Sequence, residues 1–258
     1  MEDVKLINEI NNKIIDIYNK QELIPLRGKD NSYIINNKQI LSWHSEVTNP
    51  CFCKYEGHFN YMNNIEELLF ISDEIVYFTA HLYFYNPYIN DPIKDSYTFE
   101  NKTIYPLFEN LAGKRYDMYT NTCFEKVYNY WDRIGDLIAS FYPNLFRKNI
   151  YFSDVMNKLE DLYFESENYK WLKVFLDTEF KSFNKQRINI VHKVTKNSEK
   201  RIEQSNNITD YEKSKILTEK YSSYPTYFKE MNEKCKIGFV KTLNLLEEIN
   251  NKENYNCG

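Results

Sequence analysis

Apolar residues recur every three or four positions along most of this chain, which is the spacing of one face of an α-helix. The stretch 64–85 is apolar on nearly every side, and such a helix usually lies at the centre of a bundle. We therefore predict an all-α fold, an antiparallel bundle of four to five helices. The predicted helices cover residues 2–20, 64–85, 119–142, 153–164, 171–198, 209–221 and 225–249. Ser153 is expected to cap the fourth of these helices, and Thr209-Asp210-Tyr211-Glu212 has capping character ahead of the sixth.

Between the first two helices the periodicity changes. A small β-hairpin is predicted by Tyr33-Ile34-Ile35 and Ile40-Leu41-Ser42-Trp43 on either side of Asn36-Asn37-Lys38, since asparagine tolerates the positive φ of a tight turn. Three prolines, Pro87, Pro92 and Pro106, interrupt the region after residue 85, where we expect a loop with some extended structure. No internal repeat is visible, and polar residues 197–207 are expected to fray or form a loop.

These patterns predict three parts. Residues 1–60 form an N-terminal helix with an irregular or hairpin appendage, residues 61–250 form the helical bundle, and residues 251–258 form a disordered tail.

The helix predicted for residues 171–198 contains an arginine where a hydrophobic residue is expected. Phe180, Phe183, Val191 and Val194 fall within a narrow arc of this helix, and Arg187 lies in the middle of that arc. His192 lies roughly 140° around the helix from Arg187, at the flank of the apolar face. A guanidinium in an apolar stripe needs a polar cleft, a partner or a carboxylate.

Composition restricts the partners only weakly. The formal net charge of −4 and the isoelectric point near 5.7 give no general attraction to nucleic acid. The region around Arg187 is locally basic, which indicates either a binding patch or an ordinary solvated helix face. An aromatic content of 17% agrees with the codon bias of an AT-rich genome, so it identifies no ligand. The basic residues are Lys181, Lys185, Arg187, Lys193, Lys196, Lys200 and Arg201.

The cysteines indicate a reducing compartment. There are five, an odd number at irregular spacings, and the sequence shows no signal peptide. No apolar run approaches the roughly 20 residues that a membrane-spanning helix needs. We expect a cytoplasmic protein without membrane association.

One group of residues could bind zinc, although its spacing is unfamiliar. His44, Cys51, Cys53 and His58 provide four nitrogen and sulfur ligands, but a C-x-C pair in a loop more often forms two semi-buried thiols. His81 lies in a strongly apolar helix and is expected to be a hydrogen-bonded core residue. Glycine-rich phosphate loops and hydrolase motifs are absent from the sequence. We therefore expect no cofactor and no metal.

The segment from Arg187 to His192 resembles the R-x(4–6)-H motif of the HEPN superfamily, whose members are helical bundles and often ribonucleases. The resemblance covers about Asn64 to Asn250 and rests on these two residues and their place on a long helix. Many active members have a polar residue directly after the arginine, whereas this chain has Ile188 there. The resemblance implies an RNA substrate, a toxin–antitoxin or phage-defence setting, and an antitoxin or other defence protein as a partner.

The resemblance also implies a mechanism without a metal. His192 would transfer protons, Arg187 would hold the phosphoryl oxygens, and the 2′-OH of the RNA would attack its own phosphate. One histidine cannot easily supply both proton transfers, so a homodimer would bring two Arg187/His192 pairs to one cleft. Asp132, or alternatively Asp136, could orient the guanidinium.

Three other interpretations remain open at this point. The bundle could be a catalytically inert HEPN-like module that binds a partner. Arg187 could pair with a carboxylate inside a monomeric bundle, with His192 half-buried and hydrogen bonded. The motif could also be a fortuitous match in an unrelated helical protein.

Overall fold

The computed structural model describes residues 2–30, 32–40, 42–43, 61–141 and 150–256. Within these ranges the chain is mainly helical, and its strands form two small antiparallel hairpins. The predicted all-α fold class is confirmed. The helices are α1 Glu2–Gln21, α2 Tyr61–Tyr85, α3 Leu111–Ala139, α4 Phe152–Lys158, α5 Glu160–Tyr163, α6 Glu167–Phe175, α7 Lys181–His192, α8 Lys196–Asn206, α9 Tyr211–Ser222 and α10 Tyr224–Asn256.

Four shorter features lie between these helices. A 3₁₀ turn covers Asn86–Tyr88, and a π-helical segment, Leu176–Phe180, lies between α6 and α7. Strands β1 Ile34–Ile35 and β2 Lys38–Gln39 form the first hairpin, and β3 Tyr97–Phe99 and β4 Lys102–Ile104 form the second.

The chain divides into two compact units. Unit one comprises Met1–Leu23, Ile75–Glu125 and Lys185–Met231, and unit two comprises Ile24–Glu74, Lys126–Asn184 and Asn232–Gly258. Four of the five boundaries fall within α2, α3, α7 and α10, so each of these helices contributes residues to both units, and the fifth boundary follows the end of α1.

Unit one buries the second half of α1 against α2. Ile14 and Leu23 pack with Val76 and Ala80 in one cluster. The first half of the α1 stripe is not covered, since Leu6 is 58% exposed. The helical periodicity of residues 2–20 therefore predicted the helix correctly, while the extent of its buried face depended on what packs against it.

Unit two is built around Trp131, which is fully buried on α3. Its ring stacks on Phe175 at a centroid distance of 4.2 Å and lies 5.1 Å from the ring of Phe152. Gly238 on α10 lies against this indole, and a Cβ atom there would come within 2.8 Å of Trp131 Cζ3. The lack of a side chain at Gly238 lets α3 and α10 approach closely.

Both extended regions predicted from the sequence are present. Asn36 and Asn37 have φ values of 51° and 62°, so the first hairpin turns where the asparagine pair predicted it. Its second strand is Lys38–Gln39, whereas Ile40, Ser42 and Trp43, which were predicted to form that strand, are helical. Lys38 Nζ and Trp43 Nε1 both donate to Glu247 Oε1 on α10, at 2.5 and 2.7 Å. The second hairpin lies within the proline-interrupted region, as expected.

The helix predicted for residues 171–198 is not one continuous α-helix. The range contains the end of α6, the π-helical segment, α7 and the start of α8. A π-helical segment separates α6 from α7, and α7 ends at His192. The amide of Lys181 donates to Leu176 O, the five-residue step of a π-helix. Uniform rotation of about 100° per residue cannot predict such a step, because it inserts one extra residue into the register.

Two further expectations about helix ends were wrong. Residues 196–206 form α8 and not a loop. Thr195 caps this helix by accepting from Ser198 N, and two polar side chains of the helix, Lys200 and Gln204, are buried. Ser153 was expected to cap α4, but Tyr151 occupies the cap position without a side-chain hydrogen bond.

The division into residues 1–60, 61–250 and 251–258 stays a prediction. Among the residues that the structure describes, none of the helices combines the length and the apolar content needed to cross a bilayer.

Candidate functional site

The last turns of α7 carry the two residues of the sequence motif, and both belong to unit one. Arg187 lies between Phe183 and Ile190 on the buried face of the helix. Phe183 is fully buried and Ile190 is 7% exposed, whereas Arg187 is half-buried with its Nε atom buried. The predicted position of an arginine in an apolar stripe is therefore observed, although Val191, further along the stripe, is 43% exposed.

His192 is the last residue of α7 and is exposed. The chain turns directly after it, since the amides of Lys193 and Val194 both donate to Asn189 O, at 3.0 and 2.9 Å. The imidazole therefore stands at a helix end, where a ligand or a second protein can approach it. This exposure does not agree with a half-buried, hydrogen-bonded histidine.

Asp132 lies on α3 in unit two and is partly buried. Its Oδ1 atom accepts from the amide of Phe152 at 3.4 Å, which links α3 to the start of α4. Asp136, the alternative orienting residue, pairs with Arg133 on the same helix. Burial raises the pKa of the Asp136 carboxyl, and the guanidinium of Arg133 partly opposes that rise.

Asp132 also lines a cavity of about 380 Å³ within unit two, which we call the α3–α7 pocket. Sequence reasoning missed this pocket, because its walls come from α3, α4, the π-helical segment and the first turn of α7. Of its lining residues, only Asp132 was predicted to belong to the catalytic site. The lining residues are Tyr128, Asp132, Tyr151, Ser153, Asn157, Leu176, Asp177, Phe180, Lys181 and Asn184.

The basic region around Arg187 is smaller at the surface than the sequence indicated. Lys196 and Lys200 are 3% and 7% exposed. Lys196 Nζ pairs with Glu199 at 2.7 Å, and Lys200 Nζ lies 5.0 Å from the ring centroid of Tyr221. These two lysines lie in the interior of unit one and do not belong to a solvated basic face. Four of the predicted basic residues are exposed: Lys181, Lys185, Lys193 and Arg201.

Of the other histidines and cysteines considered as site residues, His81 lies within the described residues and the four possible zinc ligands do not. His81 is 7% exposed and its Nδ1 atom lies 2.8 Å from Tyr77 O, so it is the hydrogen-bonded core residue that was expected. Burial lowers the pKa of its imidazole, more than the hydrogen bond raises it. His44, Cys51, Cys53 and His58 lie outside the described residues. Within the described ranges, no group of three or more histidine, cysteine or acidic side chains could hold a metal ion.

Comparison with known proteins gives one match. A model of the family described as HEPN_Cthe2314-like HEPN matches residues 61–250, which is most of the chain and includes Asp132, Arg187 and His192. No curated protein and no solved structure matches.

Proposed function

Since the chain belongs to the HEPN superfamily, we propose that it is a metal-independent endoribonuclease that uses Arg187 and His192. The observation that supports this most is the pair itself. A half-buried guanidinium and an exposed imidazole lie on consecutive turns of one helix, α7, within the matched region.

The proposed reaction is transesterification followed by release of the cut strand. A 2′-oxygen loses its proton and attacks the adjacent phosphorus, while the bond from phosphorus to the 5′-oxygen breaks. The products are a 2′,3′-cyclic phosphate and a 5′-hydroxyl end. Arg187 stabilises the charge that builds up on the phosphoryl oxygens, and His192 transfers a proton.

Two protons move in this reaction, one from the 2′-OH and one to the leaving 5′-oxygen. A single imidazole is poorly placed to handle both. We therefore propose a homodimer in which His192 of each protomer serves one transfer. Asp132 is proposed to orient the Arg187 guanidinium. We also propose that the protein acts in the cytoplasm as a toxin or in phage defence, with an antitoxin or other defence protein as its partner.

The test uses a labelled RNA oligonucleotide in EDTA. We expect His192→Ala and Arg187→Ala each to lower the cleavage rate by about 10²-fold or more, the usual contribution of such groups. Lys193→Ala is the matched control, because Lys193 is the exposed neighbour of His192. Circular dichroism and Tm establish that each variant is folded. Cleavage that survives in both variants would disprove the assignment.

One observation favours a second function, an inert HEPN module that binds a partner. Ile188 follows Arg187, where many active members have a polar residue, and its side chain is 40% exposed. An exposed apolar residue beside the motif suits a protein contact better than an RNA cleft. If the wild-type chain does not cleave RNA and Ile188→Asn creates cleavage, the inert module is the correct function.

A further inference from the structure

The α3–α7 pocket has the size and the polarity of a small-molecule site. Its volume of about 380 Å³ lies within the range of roughly 300–1,000 Å³ typical of ligand pockets. It is bounded by the π-helical segment, and π-helical turns inside α-helices frequently occur at functional sites. All of its lining residues belong to unit two.

One wall of the pocket is aromatic and flat. Tyr128 and Phe180 lie at a centroid distance of 5.9 Å with an angle of 18° between their planes. Phe180 is 3% exposed, so the ring pair is held in place by the unit-two core. A planar ligand could stack against such a wall, as nucleic-acid bases stack on aromatic side chains elsewhere.

The pocket lining contains both hydrogen-bond acceptors and donors. Asn184 Oδ1 is buried and has no hydrogen-bond partner within the described residues. Asp132 and Asp177 add two carboxylates, each of which can accept several hydrogen bonds. The donor groups of the lining include those of Tyr151, Ser153, Asn157 and Lys181. A ligand edge that faces the three acceptors must therefore present N–H donors.

The charge of the lining disfavours a phosphate inside the pocket. Asp132 and Asp177 bring two negative charges, and Lys181 brings one positive charge. Lys173 Nζ lies 3.5 Å from Asp177 and partly neutralises it. Lys181 is exposed, so it can meet a phosphate outside the pocket while a neutral ring occupies the interior.

We propose that the α3–α7 pocket binds a guanine base, stacked on Tyr128, with its donor edge facing Asn184 and the carboxylates. Guanine carries N1–H and an exocyclic amino group side by side, which matches the acceptor atoms of Asn184, Asp132 and Asp177. Uracil and adenine present fewer donors in that arrangement. The choice of a nucleotide rests on the proposed function, because RNA supplies the base.

The test measures binding of GMP, AMP, CMP and UMP to the full wild-type chain by isothermal titration calorimetry. We expect saturable binding that is strongest for GMP, at least tenfold tighter than for UMP. Guanosine should compete with GMP, and inorganic phosphate should not. Competition by phosphate, or equal binding of the four nucleotides, would overturn the proposal.

Two variants test the residues. Asn184→Leu is expected to weaken GMP binding at least tenfold, and Tyr128→Leu, which removes the stacking ring, provides a second variant if the first does not fold. Ser182→Ala is the control, since Ser182 is exposed on the same helix and does not line the pocket. Unchanged GMP affinity in a folded Asn184→Leu or Tyr128→Leu variant would also overturn the proposal.

The two proposals fail in different ways. GMP binding without any RNA cleavage would contradict the nuclease and leave the pocket assignment intact. Cleavage that depends on Arg187 and His192, with no binding of any mononucleotide, would contradict the pocket alone.

Discussion

At the scale of single residues, Asp117 is the unusual ionisable group of unit one. It is 6% exposed, its Oδ1 atom is buried without a hydrogen-bond partner within the described residues, and it faces a small cavity that Lys200 also lines. Burial raises the pKa of Asp117 to about 6, Lys200 opposes that rise, and Glu109 adds to it. Burial also lowers the pKa of Lys200.

This raised pKa predicts a pH dependence of stability. The folded pKa of about 6 lies above the reference value of 3.8, so the folded state binds this proton more tightly than the unfolded state. The resulting stabilisation is complete below about pH 4 and is lost as the pH rises through about 6. Its upper limit is about 3 kcal/mol.

The measurement compares urea unfolding of the wild type and of Asp117→Asn at pH 4 and at pH 7. Asparagine does not ionise. The free energy of unfolding of the variant, relative to that of the wild type, should therefore be higher at pH 7 than at pH 4. A difference that is the same at pH 4 and pH 7 would show that Asp117 does not titrate in this range.

At the scale of elements, the start of a helix was predictable where a capping side chain lies beside an apolar pattern. Asp210 precedes α9, and its Oδ1 atom accepts from Lys213 N at 3.1 Å, in agreement with the predicted capping sequence. Thr195 caps α8 in the same way. That helix was missed because α8 is polar and its burial depends on the rest of unit one.

We predict that Thr195→Ala lowers the free energy of unfolding by about 1 kcal/mol, the usual cost of removing a cap. The hydroxyl accepts from Ser198 N at 3.4 Å, and alanine leaves that amide without its acceptor. Chemical denaturation gives the value, with the exposed Ser182→Ala as control. A loss of stability equal to that of Ser182→Ala would argue against the cap.

A second prediction at this scale concerns the contact between α3 and α10. Gly238→Ala places a methyl group against the buried indole of Trp131, so α10 must shift, with an expected cost of about 1–3 kcal/mol. Gly113→Ala is the control, since a Cβ atom there meets only Asn110 Oδ1, at 3.4 Å. That substitution should stabilise its helix by about 0.5–1 kcal/mol, because alanine has the higher helix propensity.

Thermal unfolding of the two glycine variants checks this pair. A Tm that falls for Gly238→Ala and rises for Gly113→Ala is the expected result. An unchanged Tm for Gly238→Ala would mean that the Trp131 ring has room to move.

At the scale of the whole molecule, the homodimer is the prediction on which the proposed chemistry depends. We expect sedimentation equilibrium to give twice the 31.2 kDa of one chain at micromolar concentration. The cleavage rate per chain should fall on dilution below the dimer dissociation constant, because each cleft needs His192 from both protomers. A fully active monomer would refute the shared site and leave Arg187 and His192 as a site within one chain.

The sequence alone was enough for the fold class, the turn of the first hairpin and the placement of Arg187 and His192 on one helix. These features follow from local rules: apolar spacing for the helices, an asparagine pair for the turn, and a charged residue within an apolar stripe for Arg187. The family match at residues 61–250 agrees with the resemblance inferred from Arg187 and His192.

Tertiary structure decided the rest. The π-helical segment changes the register between Phe175 and Lys181, and this step brings no local sequence signal. The burial of Lys200, the close approach at Gly238 and the α3–α7 pocket all depend on side chains that are distant in sequence. Sequence periodicity describes one helix at a time, whereas a pocket or a buried charge depends on which helices lie beside each other.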